Sequence, residues 1–393
     1  MAADFGGLAP ASAIAAIPLD RIDRFLAGRR PPTPCVVIDL EIVRQRYRAL
    51  QRLFPAAAIF YAVKANPAAE IVAALAELGA SFDVASEGEL RRCRDAGVVA
   101  GRLSFGNTIK RETEIADAFA AGVGLFAVDS RGELEKVARA APGAGVFCRL
   151  LVEGKGAEWP LSRKFGCVPD MAIDLLKAAR GLGLRALGVS FHVGSQQTQP
   201  DRWADAIAGA ARVFRACARA GVDLELLNIG GGFPAQYRTA IPPMEDYAAA
   251  IDGALTEHFG GAPPRLFVEP GRHLVGDAGI LRSTVLLVAH KSPHAHSRWV
   301  FLDAGRYNGL PETWDERIHY RLRMAHDDAA SDHAILAGPT CDSTDVIYQR
   351  ADYRVPLDLA IGDPVDFLSA GAYTASYASV EFNGFSPLRT YCI

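Results

Sequence analysis

Several signatures are missing from this chain, and each absence closes a class of function. No apolar run approaches the ~18 residues that a membrane span needs, so no membrane partner is expected. Basic residues are not in excess. Lys and Arg number 42 against 45 Asp and Glu, a formal net charge of −3, which leaves no electrostatic footprint for nucleic acid. The opening MAADFGGLAPASAIAAIPLD has no basic start followed by a continuous apolar core, so export is not expected and a cytoplasmic protein is. Seven cysteines (35, 93, 148, 167, 217, 341 and 392) are odd in number and widely spaced, with no CxxC pair. That fits reduced thiols better than disulfides or a structural zinc, and no metal is expected. A Gly-x-Gly-x-x-Gly opening and a P-loop lysine are also missing, which argues against a dinucleotide or a nucleoside triphosphate.

What is present has a regular rhythm. Residues 1 to about 30 read as Ala-rich and irregular, and Arg29-Arg-Pro-Pro-Thr-Pro34 as a turn or hinge. Eight short apolar runs then follow, at 59–66, 81–86, 103–107, 125–130, 146–152, 186–195, 224–232 and 265–271. Stretches between them, such as Pro67–Leu78 and Glu87–Ala96, carry apolar residues at three- and four-residue spacing, as amphipathic helices do. Strands alternating with helices imply parallel pairing, and eight units can close into a (β/α)8 TIM barrel. An open doubly wound sheet is the alternative. Past residue 275 the segments turn β-rich, with few helical runs, and suggest a mostly antiparallel β domain. The barrel is expected over 37–275, with 1–36 and 276–393 forming the β domain. Cys35–Leu40 is also strand-like and belongs with the β domain or at the crossover.

Chemistry in such a barrel sits at the C-terminal ends of the strands. Here those ends supply Lys64, Asp83, Asn107, Asp129, Arg149, His192 with Ser195, the Gly230–Gly232 triplet, and Glu269 with Gly271 and Arg272. Core packing does not call for that set. Glycines at a strand end let backbone N–H groups approach an anion closely, since no Cβ intrudes. Glu269-Pro-Gly-Arg272 adds a second such turn with a guanidinium, and Ser195 adds a hydroxyl, so a phosphate cradle is expected. A phosphate cradle, an amine at a strand end and a carboxylate together fit pyridoxal phosphate. Lys64 would form the Schiff base, and the carboxylate would keep the pyridine nitrogen protonated. Lys64, at the close of the apolar run IFYAVKAN, is expected to be desolvated, which favours a neutral nucleophilic amine. A lysine that reaches water along its stem is the plainer reading of that residue alone.

On these motifs the chain resembles the ornithine/diaminopimelate/arginine decarboxylase family of fold-type III pyridoxal-phosphate enzymes, from about residue 33 onward. Tyr61-Ala-Val-Lys-Ala-Asn66 is similar to the family's cofactor-lysine motif, and Phe191-His-Val-Gly-Ser195 to the one whose His stacks on the ring and whose Ser binds phosphate. The resemblance implies an alanine-racemase-like barrel that binds pyridoxal 5'-phosphate through Lys64, Asp83, Arg149, His192, Ser195, Gly231, Gly232, Glu269, Gly271, Arg272 and Tyr373. It implies that Glu269 partners the pyridine nitrogen and that Lys64, His192, Glu269 and Cys341 serve catalysis. Asn228 is a departure, since relatives often have Asp before the glycine triplet; a changed hydrogen bond is expected there.

Gly338-Pro-Thr-Cys-Asp-Ser343 resembles the loop by which a neighbouring subunit completes the active site, with Cys341 returning a proton to the substrate carbon. In the family, Asp after this Cys goes with ornithine and lysine, and Glu with diaminopimelate. Asp342 therefore points to a basic amino acid, with Trp314, Asp315 and Tyr373 as further substrate contacts and Glu312 or Glu316 as alternatives to Asp315. The resemblance implies a homodimer with shared sites, releasing putrescine from ornithine in polyamine biosynthesis or cadaverine from lysine. Arginine, diaminopimelate, racemisation and a non-catalytic binding homologue are the remaining alternatives.

Overall fold

A computed structural model describes residues 17–159, 164–294, 297–325, 327 and 329–393; residues 1–16, on which part of the irregular leader was expected, lie outside them. Two compact units share the chain: Arg44–Pro234 with Pro242–His273, and Met1–Val43 with Ala235–Ile241 and Leu274–Ile393.

The first of these is a closed eight-stranded barrel. Its strands are Ala57–Ala62, Ser81–Val84, Leu103–Phe105, Leu125–Val128, Gly145–Arg149, Arg185–Ser190, Leu226–Asn228 and Arg265–Val268. Each falls within or overlaps one of the eight apolar runs, and every neighbouring pair is parallel. Closure is visible in the register Leu266↔Ala57, Phe267↔Ala58, Val268↔Ile59, where the last strand meets the first. An open sheet is excluded by that pairing. Phe60, Ala127, Phe147, Leu226 and Phe267 come from five different strands yet pack as one cluster, which only a barrel interior allows. The Phe60 and Phe267 rings lie 4.4 Å apart, and burying each such side chain contributes roughly 1.5–3 kcal/mol.

The helices between strands bury the faces that their spacing marked. Ala69–Glu77 turns Ile71, Val72 and Leu75 inward. Glu87–Asp95 starts at Ser86, whose side chain accepts the Glu89 N–H, and Glu89 reaches back to the Ala85 N–H.

The second unit is built on a nine-stranded sheet. Its long strand Gly279–His290 pairs antiparallel with Cys35–Ile38, Arg298–Leu302 and Pro364–Leu368. Two pairings are parallel, Cys35–Ile38 with Arg389–Cys392 and Arg298–Leu302 with Ser331–Ala337, so the sheet is mostly antiparallel. The expected boundary at residue 37 falls inside the strand Cys35–Ile38, whose ladder partners hold it in this unit; residues up to Val43 go with it, as does 235–241. The leader also departs from the irregular structure expected of it. Asp20–Arg29 is an α-helix, because Ile22 and Leu26, four residues apart, seat on Cys35, Val37 and Ile280. It ends at Arg30, left-handed, with its N–H on the Leu26 carbonyl. All seven cysteines are free thiols.

Candidate active site

The C-terminal rim of the barrel is shaped first by glycine. Gly230 and Gly232 take φ of +66° and +106°, in the left-handed range that side chains avoid. A Cβ on Gly230 would sit 2.1 Å from the Phe191 carbonyl oxygen, and one on Gly231 would sit 2.4 Å from that of Glu269. The turn after the eighth strand is as close: a Cβ on Gly271 would lie 2.9 Å from that of Ala65, next to Lys64. Beside this cage the Arg272 guanidinium donates to Ser195 Oγ at 3.0 Å. The Gly231 and Gly232 N–H groups donate to no partner among the described residues. Two open N–H groups, a hydroxyl and a guanidinium make an anion cradle.

Charged groups cluster on the same unit. Lys64 lies in a single 3-10 turn, Val63–Ala65, directly after the first strand. Its neighbours Val63 and Ala65 are buried, whereas the lysine side chain is 45% exposed and meets Asp83 Oδ2 at 3.4 Å. The expected desolvation among apolar neighbours is therefore not what surrounds it: the turn swings the amine out of the apolar run toward a carboxylate. Burial pushes the Asp83 carboxyl up, and the Lys64 cation opposes that. Glu269 is pushed up to about 7, mainly by burial and then by the negative charge of Asp83. Lys64, the Asn228 amide and Arg149 pull it back. Burial also lowers Arg149, whose guanidinium lies 5.2 Å from the Phe165 ring centre. His192 is held well below its ordinary value by burial and by the cations Arg149 and Lys64. The Gly194 N–H donates to its Nδ1 at 3.1 Å, so the ring is neutral with its proton on Nε2.

Not every strand-end residue joins this group. Asp129 Oδ2 accepts the Gly166 N–H, and Asn107 holds the Ile109 N–H and the Ala85 carbonyl, so both support loops. Glu89 was missed. Burial raises its carboxyl, and it senses both Lys64 and Asp83. The Ser86-x-x-Glu89 capping pattern was the signal that could have found it.

The remaining candidates lie on the β unit. Cys341 is exposed, with its N–H on Asn383 Oδ1 at 3.0 Å. Asp342 Oδ1 accepts both the Thr344 N–H and hydroxyl, which hold its carboxyl below the usual range. Asp345 anchors the loop from beneath, accepting from the Arg306 N–H and from the Thr340 N–H and hydroxyl. Arg306 was also missed. It donates to the Thr344 carbonyl while lying 5.2 Å from the Trp314 ring centre, so it brings the Trp314-Asp315 turn and the Cys341-Asp342 loop together. Trp314 and Asp315 are exposed, and Asp315 is left-handed with φ +54°. Glu316 is buried and accepts the N–H groups of Gln349, Arg350 and Ala351; it serves the backbone and is spent as a substrate contact. Glu312 is buried as well. Tyr373 takes φ +54°.

Residues 40–276 match the family described as pyridoxal-dependent decarboxylase, pyridoxal binding domain. The chain belongs to the pyridoxal-dependent decarboxylases. Among curated relatives of this decarboxylase is the lysine/ornithine decarboxylase of Selenomonas ruminantium, 35% identical over 364 residues, 91% of this chain and 89% of that one. The ornithine decarboxylase of Mus musculus is 33% identical over 375 residues, 91% and 80% of the two chains. A crystal structure of lysine/ornithine decarboxylase from Vibrio vulnificus, complexed with cadaverine, superposes with a TM-score of 0.85 at 32% identity, covering 97% and 99% of the chains.

The residues of this decarboxylase fit pyridoxal phosphate. A phosphate needs donors, and the rim offers the open N–H groups of Gly231 and Gly232 in a space that Cβ atoms would fill. An aldehyde needs an amine, which the half-exposed Lys64 presents. A pyridine nitrogen needs an acid or its anion, which Glu269 provides.

Proposed function

We propose that this decarboxylase removes the α-carboxyl group of a basic L-amino acid. L-ornithine is the first substrate, giving putrescine for polyamine biosynthesis, and L-lysine is the alternative. The observation that carries the reading is Asp342. Its carboxyl is held ionised by Thr344, one residue along the chain from Cys341, on a loop that Asp345 and Arg306 fix. A carboxylate there binds a distal ammonium and repels a distal carboxylate, which argues against diaminopimelate.

Pyridoxal phosphate, when bound, supplies the electron sink that accepts the pair left as carbon dioxide departs. Gly231, Gly232, Ser195 and Arg272 bind its phosphate, with Gly271 keeping the approach open and Tyr373 adding a hydroxyl. Lys64 would hold its aldehyde carbon through Nζ, with Asp83 and Arg149 balancing the charge around that amine. The Glu269 carboxylate would face the ring nitrogen and favour its protonated form. His192 would stack on the bound ring, and its neutrality would matter there, because a cation would compete with the ring for electrons. Cys341 Sγ delivers a proton to the substrate Cα. Asp342 and Asp315 bind the distal ammonium, with Trp314 as an apolar wall.

The working unit in this reading is a cytoplasmic homodimer in which each site takes its barrel residues from one chain and its Cys341-Asp342 loop from the other. Ornithine and lysine differ by one methylene, which a size filter separates by only ~1–3 kcal/mol. The test is product analysis of the purified chain with pyridoxal phosphate, offered L-ornithine, L-lysine, L-arginine and diaminopimelate side by side. Putrescine is expected in excess of cadaverine. Lysine formed from diaminopimelate as the main product would overturn the reading. No carbon dioxide from any of the four would favour a binding homologue.

A further inference from the structure

Asn228 ends the seventh barrel strand with a buried side chain that touches two parts of the site at once. Its Oδ1 accepts the Gly230 N–H at 2.9 Å, and its Nδ2 donates to Glu269 Oε1. An N–H can be met only by the amide oxygen, so the Gly230 contact fixes which way the amide faces. The amide nitrogen is therefore the atom presented to Glu269. Among the described residues no other group donates a hydrogen bond to that carboxylate. The backbone leaves Asn228 little freedom, since it sits in register with Ser190 on one side and Phe267 on the other.

We propose that Asn228 is a positioning residue that couples the glycine turn to Glu269: one amide anchors Gly230 in its left-handed conformation and holds the Glu269 carboxylate in place with a donated hydrogen bond. Its importance for catalysis rests on the reading of Glu269 as the partner of the ring nitrogen. The other charges that act on Glu269 are Asp83, which opposes ionisation, and Lys64 and Arg149, which favour it; neutral His192 adds no charge. With burial as the largest force toward the neutral acid, a donor at close range is the local counterweight. A carboxylate in place of the amide would keep an acceptor for Gly230 but would set two negative oxygens against each other. Such a pair holds one proton to higher pH.

The test separates the two halves of the amide. N228D keeps the acceptor for Gly230 and removes the donor to Glu269, whereas N228L removes both. Infrared titration of the full chain follows the protonated carboxyl band, assigned by its loss in E269Q, before and after pyridoxal phosphate is added. N228D should move the titration midpoint upward by about one to two pH units, because it loses the donor and also sets a second carboxylate against Glu269, and N228L, which adds no charge, isolates the loss of the donor. N228L should show the upward shift and a lower melting temperature as well. A midpoint in N228D equal to wild type would overturn the coupling, and N228D, being isosteric, decides the matter even if N228L does not fold. If N228D shifts the midpoint while E269Q keeps wild-type kcat, the coupling stands and the ring-nitrogen role of Glu269 falls.

Discussion

The two groups of candidate residues are held in opposite ways. On the barrel rim, Asp83, Asn228 and Arg272 are buried, and glycines at 230, 231 and 232 leave no room for a Cβ. Its carboxyls are raised by burial, and Glu269 further by the charge of Asp83. On the β unit, Cys341, Trp314 and Asp315 are exposed, and Asp342 is steadied by a local turn with Thr344. The first arrangement is preorganised and tunes proton affinities, as a site that binds a reactive cofactor must. The second presents finished side chains on an anchored but open loop, as a surface does when it completes a site elsewhere. In the proposed reading, the electronic work falls to the barrel and substrate choice to the loop.

Breaking the barrel half should have the largest effect. Lys64→Ala is expected to abolish turnover, by about 10³-fold or more, because the role proposed for it is covalent. The barrel should still fold, since the side chain is 45% exposed and is no part of the core. Borohydride reduction in the presence of pyridoxal phosphate should trap no adduct; trapping at the wild-type level would contradict the assignment.

Changing the loop should leave the cofactor alone. Asp342→Ala is expected to raise KM for ornithine roughly tenfold or more while cofactor affinity stays unchanged, because the role proposed for the carboxylate is to bind the distal ammonium. Equal use of ornithine and a neutral analogue such as norvaline by the unmutated enzyme would remove that role.

The smallest expected effect sharpens the contrast through stability. Glu269 in the folded chain sits at about 7, above its ordinary 4.5, so folding favours its protonated form. That contribution is fully present below pH ~4.5 and is lost as pH rises through about 7. Glu269→Gln, neutral throughout, should remove this dependence. Without cofactor, its melting temperature relative to wild type should rise between about pH 5 and pH 8, by a few kcal/mol at most in stability. Parallel curves for the two proteins would show that Glu269 carries no such burden.

The barrel was legible because its signal is local. Each apolar run carries its own strand, and each strand end its own polar residue. What escaped needed contacts distant in sequence. Arg306 matters because Trp314 and Thr344, eight and 38 positions away, converge on it. Glu316 looked as available as Asp315 until three backbone N–H groups, 33 to 35 positions on, were seen to occupy it. Lys64 was expected to be desolvated because its run is apolar, yet one 3-10 turn at the strand end reverses its surroundings. The helix Asp20–Arg29 rests on only two buried side chains beside an Ala-rich leader, too short a pattern to stand out. The roles given to Cys341 and Asp342 come from family likeness, because nothing local distinguishes a substrate-binding loop from any anchored turn.

The most direct test of a site built from both regions is subunit complementation. A Lys64→Ala chain and a Cys341→Ala chain, each inactive alone, are mixed in equal amounts under conditions of verified subunit exchange. Random reassortment places one chain of each kind in about half of the dimers, and each mixed dimer then holds one intact site of two. Activity should return to roughly a quarter of wild type on a per-site count. No recovery after verified exchange would mean that each chain builds its own site, and the division of labour between barrel and loop across two chains would be wrong.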